Sequence, residues 1–189
     1  MRKRIIAALT ELSHTRGFYN VTMDELAAQA GMSKRTVYRY FSGKEEIIEA
    51  VLDEFMASVA GGIEQIIIAN EGKEPTDMFE ELVKHFTQSA GKLINPLVLG
   101  DLRVHYPHFW KKIEEFRAQR IQRFIKLIMV KKSHARNIHP QIFMAAFLAS
   151  IRAVINPEFV LDNGFTLDEA VSQLVELFIY GFAGRNGVS

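Results

Sequence analysis

Apolar residues recur along this chain at three- and four-residue intervals, and no stretch alternates apolar with polar as a half-buried strand would. That periodicity leaves an all-α protein. With 189 residues, it makes one large domain or two small ones and can bury a substantial core. There is no internal repeat and no low-complexity tract. Three Ser/Thr-x-x-Glu patterns, Thr22 with Glu25, Ser42 with Glu45 and Thr166 with Glu169, read as capping boxes. In each, a hydroxyl and a carboxylate satisfy the free amides of a helix start reciprocally.

The first helix is expected from Arg2 to Thr15, with Ile5, Leu9 and Leu12 inward and Gly17 ending it in a left-handed turn. A second runs from the Thr22 cap to Ala30, with Leu26, Ala27 and Ala30 inward. Gly31 supplies the positive φ of a tight turn, and Ser33 caps a third helix, Lys34 to Phe41. Ser42 and Glu45 open a fourth, whose apolar positions Ile47, Ile48, Val51, Leu52 and Phe55 continue to about Val59. Gly61-Gly62 should then break or bend it, since each glycine costs about 1 kcal/mol in a helix interior. A domain boundary is expected near residue 60, dividing the chain into 1–60 and 61–189, with a polar loop at 70–75. The second part reads as helices over 76–93, 96–105, 108–131, 140–155 and 167–183. Pro96, Pro107 and Pro140 suit first turns, while Pro157 and Asn163-Gly164 fall in a loop.

Charge is unevenly placed. Residues 1–44 hold eight Lys/Arg against three Asp/Glu, and the rest of the chain holds 15 against 19. A basic head on a mildly acidic body implies that the head alone meets a polyanion. The chain has no cysteine, which excludes disulfides and thiolate metal sites. The apolar run Ile5–Leu9 is too short for a leader, and that near Ile142–Ile151 too short to span a bilayer, so a cytoplasmic protein that enters no membrane is expected. His105 and His108 flank Pro107, and His134 and His139 lie in another segment. No carboxylate stands at ligand spacing with either pair, so no metal site is expected. Nucleotide, hydrolase and zinc-protease motifs are absent too, which leaves no catalytic residue and no cofactor to assign.

The stretch KRTVYRYF, residues 34–41, concentrates basic and aromatic groups. At about 100° per residue, Val37 and Phe41 fall on one side of a helix. Arg35, Thr36, Arg39 and Tyr40 fall on the other, with Lys34 and Tyr38 at the edge. Guanidinium forks pair bidentately with guanine edges or phosphates, and a short helix set on a tight turn is the layout that enters a major groove. The alternative is a solvated basic face on an ordinary helical hairpin.

The segment VTMDELAAQAGMSKRTVYRYFSGKEEIIEAVL from Val21 resembles the DNA-binding domain of the TetR family of transcriptional regulators. The likeness covers residues 1 to about 56. It rests on Gly17-Phe18, Thr22, Ala27–Ala30, Gly31, Ser33, Val37-Tyr38, Tyr40-Phe41 and Lys44-Glu45. Beyond that, length, helix count and Tyr106-Pro107-His108-Phe109-Trp110-Lys111-Lys112 are similar to the family. The resemblance implies a three-helix head with its helix-turn-helix at about 23–41. Thr22, Ser33, Lys34, Arg35, Thr36, Tyr38, Arg39 and Tyr40 would meet phosphates and bases of double-stranded DNA. Lys44 would meet a phosphate through its ammonium or its backbone amide. Two positions depart from the family pattern: Arg35 stands where glycine is frequent, and Gly43 where Ser, Asn or Asp is, which shifts capping onto Ser42.

The resemblance also implies a homodimer on an inverted-repeat operator and a body that binds a small apolar or aromatic molecule, the complex acting as a ligand-released repressor. The apolar helices 142–155 and 167–183 suit dimerisation, with Ala145, Ala146 and Ala149 allowing close approach. Phe86, Leu102, Tyr106, Phe109, Trp110, Phe124, Phe147 and Ile151 are candidates for the pocket lining, although core packing would use the same residue types. The rival reading is a helical small-molecule-binding or adaptor protein without operator-specific DNA binding.

Overall fold

The computed structural model describes residues 1–70, 81, 85, 95–130, 140–155 and 157–183, and for part of these, 120–130 included, the helix backbone alone. All regular structure among them is helical: α1 Arg2–Arg16, α2 Met23–Gln29, α3 Lys34–Tyr38, α4 Lys44–Ala69, α5 Pro96–Val104, α6 Pro107–Val130, α7 Pro140–Val154, α8 Pro157–Asp162 and α9 Leu167–Ala183. The chain divides into two compact units, Met1–Val59 with Ser89–Glu114, and Ala60–Gln88 with Glu115–Ser189. No helix among the described residues is long and apolar enough to cross a membrane.

In the first unit, Ile5, Leu9, Phe18, Leu26, Val37, Phe41, Ile47 and Ile48 are fully buried. They come from α1, the loop after it, α2, α3 with its trailing residue, and α4. Each such side chain contributes roughly 1.5–3 kcal/mol on burial, enough to hold helices too short to stand alone. α5 packs against α1, with Val98 and Leu102 buried. In the second unit α7 packs on α9, whose buried stripe is Ala170, Val171, Leu174 and Phe178. Arg117 donates to the Ile155 carbonyl at 2.9 Å just past the end of α7.

The caps follow the sequence closely. Thr22 Oγ1 accepts from the Glu25 amide while Glu25 accepts from the Thr22 amide at 2.9 Å. These bonds hold the exposed Glu25 carboxyl below its usual range, the backbone bond first. Thr166 and Glu169 repeat the arrangement with the same effect on Glu169. Gly31 takes φ 62°, as the turn requires.

Several expectations change. Gly17 has φ 70° but ψ −175°, an extended departure from α1 instead of a left-handed one, in a region only glycine occupies freely. α4 starts at Lys44, so the carboxylate at the third helical position is Glu46, not Glu45, and it accepts from Ser42 N at 2.6 Å and Ser42 Oγ at 2.9 Å. α3 ends at Tyr38, and Arg39 and Tyr40 follow as a turn whose amides reach Thr36 and Val37 carbonyls. Where a loop was expected, Pro157 initiates α8. Gly164 at φ 68° closes it, and the Phe159 and Phe165 rings stack at 6.0 Å. The expected helix 76–93 lies outside the described residues except for positions 81 and 85, which are helical, and residues 71–75 of the expected loop also lie outside.

Gly61-Gly62 does not end α4, which runs on to Ala69 and is closed by Asn70 donating to the Ile66 carbonyl at 2.9 Å. Two glycines cost about 2 kcal/mol together, less than the buried face before them, from Ile47 to Val59, recovers by packing. They are not equivalent. A methyl group at Gly61 would meet nothing within 4 Å, whereas one at Gly62 would fall inside the His85 imidazole. Gly61→Ala is therefore expected to stabilise the chain by about 1 kcal/mol. Gly62→Ala should return less, since the ring must swing away first. Chemical denaturation of the two variants checks the order, and equal gains would mean that His85 is not held there.

Candidate nucleic-acid interface

The recognition segment is fixed by what lies beneath and before it. Val37 and Phe41 are buried, which turns the intervening backbone so that Arg35, Tyr38, Arg39 and Tyr40 are exposed. Tyr38 and Tyr40 keep 47% and 40% of their surfaces beside the exposed Arg35 and Arg39. Ser33 Oγ accepts from the Thr36 amide at 3.1 Å and is hydrogen-bonded to Thr36 Oγ1 at 2.8 Å, with either hydroxyl able to donate. One of the two hydroxyls is thus committed as donor, and the other is free to donate outward. Thr22 Oγ1 already donates to Glu25 at 2.9 Å and accepts from its amide, so a phosphate would compete with that bond.

The eight cations of the head sort into two groups. Arg2 lies over the Phe41 ring, Arg4 donates to the Ala30 carbonyl, Arg16 pairs with Glu25, and Lys34 pairs with Asp24 at 2.9 Å. Asp24 raises the Lys34 pKa by its hydrogen bond and then its charge. Lys44 donates to the Tyr19 carbonyl at 2.7 Å and the Val21 carbonyl at 3.0 Å. Lys3, Arg35 and Arg39 are exposed and have no side-chain hydrogen bond or ion pair among the described residues.

Lys44 is half-buried, and burial lowers its pKa against a smaller opposing pull from Asp101. Its ammonium faces the loop before α2 and its amide stands at the start of α4, where free N–H groups favour anions. The same loop is held from the other side by α5. Asp101 accepts from the Tyr19 amide at 2.7 Å, and its carboxylate occupies the space a side chain at Gly17 would need. His105 stacks on Tyr19 with ring centroids 3.6 Å apart. Further ties join α6 to α4: Lys112 bridges Glu49 and Asp53 at 2.8 Å each, and His108 faces Glu45 at 3.7 Å.

Of the residues named for a pocket, Leu102, Tyr106 and Phe109 are buried in the first unit with Trp110 half-buried beside them in sequence. The Tyr106 and Phe109 rings lie 6.1 Å apart, and burial raises the Tyr106 pKa. Ile151 is buried in the second unit. Phe86 and the side chains of Phe124 and Phe147 lie outside the described residues. No cluster of three metal-ligating side chains occurs among the described residues.

Arg2, Arg4, Asp101 and Tyr19 escaped the reading of sequence. The first two were counted only as charge. Asp101 is 82 residues from the amide it accepts, and no local pattern signals such a contact.

Residues 5–51 match the family model for bacterial regulatory proteins of the tetR family. The uncharacterized HTH-type transcriptional regulator YvaF of Bacillus subtilis is 31% identical over 183 residues, covering 96% of this chain and 95% of that protein. The fatty acid metabolism regulator protein of Bacillus subtilis is 32% identical over 92 residues, 47% of this chain and 45% of that one. Among solved structures, the transcriptional regulator FadR of Bacillus subtilis in complex with stearoyl-CoA superposes with a TM-score of 0.65, covering 96% of this chain and 99% of that one at 19% identity, which shows a shared fold. With a near full-length relative and a helix-turn-helix head built as described, the chain belongs to the TetR family of bacterial transcriptional regulators.

Proposed function

We propose that this regulator is a homodimeric repressor that binds an inverted-repeat operator and leaves it when a small apolar molecule occupies its body. The observation that carries the DNA-reading part is the pair of exposed guanidiniums, Arg35 and Arg39, which have no partner among the described residues, on a segment whose opposite side is buried. In this reading Arg35, Arg39 and Tyr40 read bases with Tyr38 and the Ser33–Thr36 hydroxyls beside them. Thr22 and Lys34 approach phosphates, and Lys44 anchors through its amide.

The reading is tested on duplexes selected from a random library, with affinity measured across a salt series. Arg35→Ala or Arg39→Ala is expected to cost about 1–3 kcal/mol and to relax one operator position. Lys44→Ala should weaken all sequences alike while leaving the salt slope intact, because its ammonium is spent on carbonyls. A slope flattened by about 0.9 for Lys44→Ala would instead give the ammonium a phosphate.

Dimerisation is supported by an exposed stripe on α7, where Ile142, Ala145, Ala146, Ala149 and Ala153 recur at helical spacing. Ile142 keeps 65% of its surface, and Leu177 on α9 keeps 63%. Small residues let a second helix approach closely, and a two-fold dimer would place two heads on half-sites about 34 Å or a multiple apart. Ala149→Glu should yield a monomer in sedimentation at micromolar concentration and weaken inverted-repeat binding. A dimer that survives it puts the interface elsewhere.

For the ligand, the stearoyl-CoA bound by the FadR neighbour and the name of the fatty acid metabolism regulator favour an acyl chain. Stearoyl-CoA is expected to weaken operator binding about 5- to 150-fold, the usual range of coupling, while coenzyme A alone should not. Quenching of Trp110, the sole tryptophan, would report binding. Tight binding with unchanged operator affinity would remove the coupling, and no binding would remove the acyl chain.

A further inference from the structure

We propose that Arg2 and Arg4, on the first turn of α1, are positioning residues that fix the recognition segment at its two ends and do not themselves touch DNA. The inference rests on the operator-binding reading above and assigns two of the head's cations a role that charge counting hides. Arg4 holds the leading end. Its Nη2 donates to the Ala30 carbonyl at 2.8 Å, a part-buried bond to a group at the end of α2. Such carbonyls lack an intrahelical donor and carry the negative end of the helix dipole, so a guanidinium suits them. Gly31 is cut to the same contact. A methyl group there would stand 2.9 Å from Arg4 Nη2, so its glycine serves the guanidinium as well as the turn.

Arg2 holds the trailing end. Its Cζ lies 4.2 Å from the centre of the Phe41 ring, with Nη1 3.5 Å from the Tyr40 carbonyl and 3.9 Å from Glu46 Oε1. Glu46 is the carboxylate that also receives the Ser42 amide and hydroxyl. The partners of Arg2 therefore span the whole link from recognition segment to α4. Two arginines two residues apart diverge around α1, one to each end of the segment between Ala30 and Phe41. Each guanidinium commits a donor to the backbone that presents Arg35 and Arg39, and that bond fixes where the rest of its fork can point. The ties of Arg2 are exposed and weaker than the part-buried bond of Arg4, so Arg4 should matter more.

The test uses the full chain, a duplex selected from a random library by the wild type, and a scrambled duplex of equal length. Positioning acts on base reading, whereas non-specific binding is set by phosphate neutralisation. Arg4→Met is expected to lose about ten-fold on the selected duplex and less than about two-fold on the scrambled one, with the salt slope on the scrambled duplex unchanged. Arg4→Lys, which keeps the charge but not the fork, should restore little. Arg2→Met should shift the same ratio in the same direction by less, and it stands as an independent test should Arg4→Met fail to fold. In the free protein, hydrogen exchange should quicken over residues 31–41 only. Equal losses on both duplexes with a slope lower by about 0.9, rescued by lysine, would make the arginines phosphate contacts and overturn the proposal. So would unchanged binding to both, or exchange quickened throughout residues 1–59. A wild type that selects no duplex would sink the operator reading and this inference together. Selection by the wild type with unaffected arginine variants sinks the inference alone.

Discussion

A helix of five residues cannot hold itself. Isolated helices below about 12–15 residues are marginal in water, and α3 spans only Lys34–Tyr38. Its place in the head is therefore set by other groups: Val37 and Phe41 in the core, Ser33 at its start, Gly31 in the preceding turn, and the Arg4 bond to Ala30. A short element so over-determined has its backbone, and with it the Cα positions of its exposed side chains, fixed by the core below it. Residues 39–43 then carry the chain into α4, and the carboxylate of Glu46 reaches back to tie that link at Ser42. The reading segment and the following amide-rich helix start are thus one mechanical piece.

Charge alone overstates what such a head offers to DNA. Eight basic residues stand in the first 44, yet five are engaged within the fold. These engagements differ in strength. Exposed ion pairs such as Lys34 with Asp24 contribute about 0–1 kcal/mol, so Lys34 can exchange its partner for a phosphate at little cost. Lys44 is different, since its half-buried ammonium holds two carbonyls, and charge-assisted bonds of that kind contribute about 1.5–3 kcal/mol. Lys44 is accordingly the cation least free to move, although its amide remains exposed to the helix-end field.

What could be read in the sequence was local. The Thr22–Glu25 and Thr166–Glu169 boxes, the positive φ of Gly31 and the inward faces of α2 and α3 all follow from spacing within four residues, and all appear in the structure. In α1, Ile5 and Leu9 are buried as expected, but Leu12 is only half-buried and Ser13 is buried after it. The Ser42 box moved by one carboxylate because helix onset at Lys44 depends on the preceding turn, which propensity does not register. The roles of Gly17 and Gly62 were misjudged for a common reason. A glycine signals either backbone freedom or a close neighbour, and the neighbours here, Asp101 and His85, are remote in sequence. α8 was missed because Pro157 was taken as punctuation when it serves as a first-turn residue. Helical spacing separated Arg35 from the buried Val37, but Arg39 and Tyr40 owe their exposure to the turn that follows α3, which the helical reading did not foresee. The division of the cations was not legible, because a partner such as the Tyr19 carbonyl has no side-chain signature.

The contacts of α5 and α6 on the head divide into two physical kinds with different consequences. Val98, Leu102, Tyr106 and Phe109 are buried, and apolar burial is non-directional: it holds surfaces together but tolerates small sliding. Asp101 on the Tyr19 amide, His105 on the Tyr19 ring and Lys112 between Glu49 and Asp53 are directional, and they define the register at which the apolar surfaces meet. A hydrogen bond contributes about 0.5–1.5 kcal/mol net, and exposed ion pairs less, so each register contact can be given up within the 1–3 kcal/mol that coupling between sites usually involves. The core beneath α3 offers no such low-cost step, since Ile5, Leu9, Val37 and Phe41 would each forfeit more. Within the first unit, the register of α5 and α6 is therefore less costly to change than the packing beneath α3. Asp101 stands where that register meets the loop leading into α2.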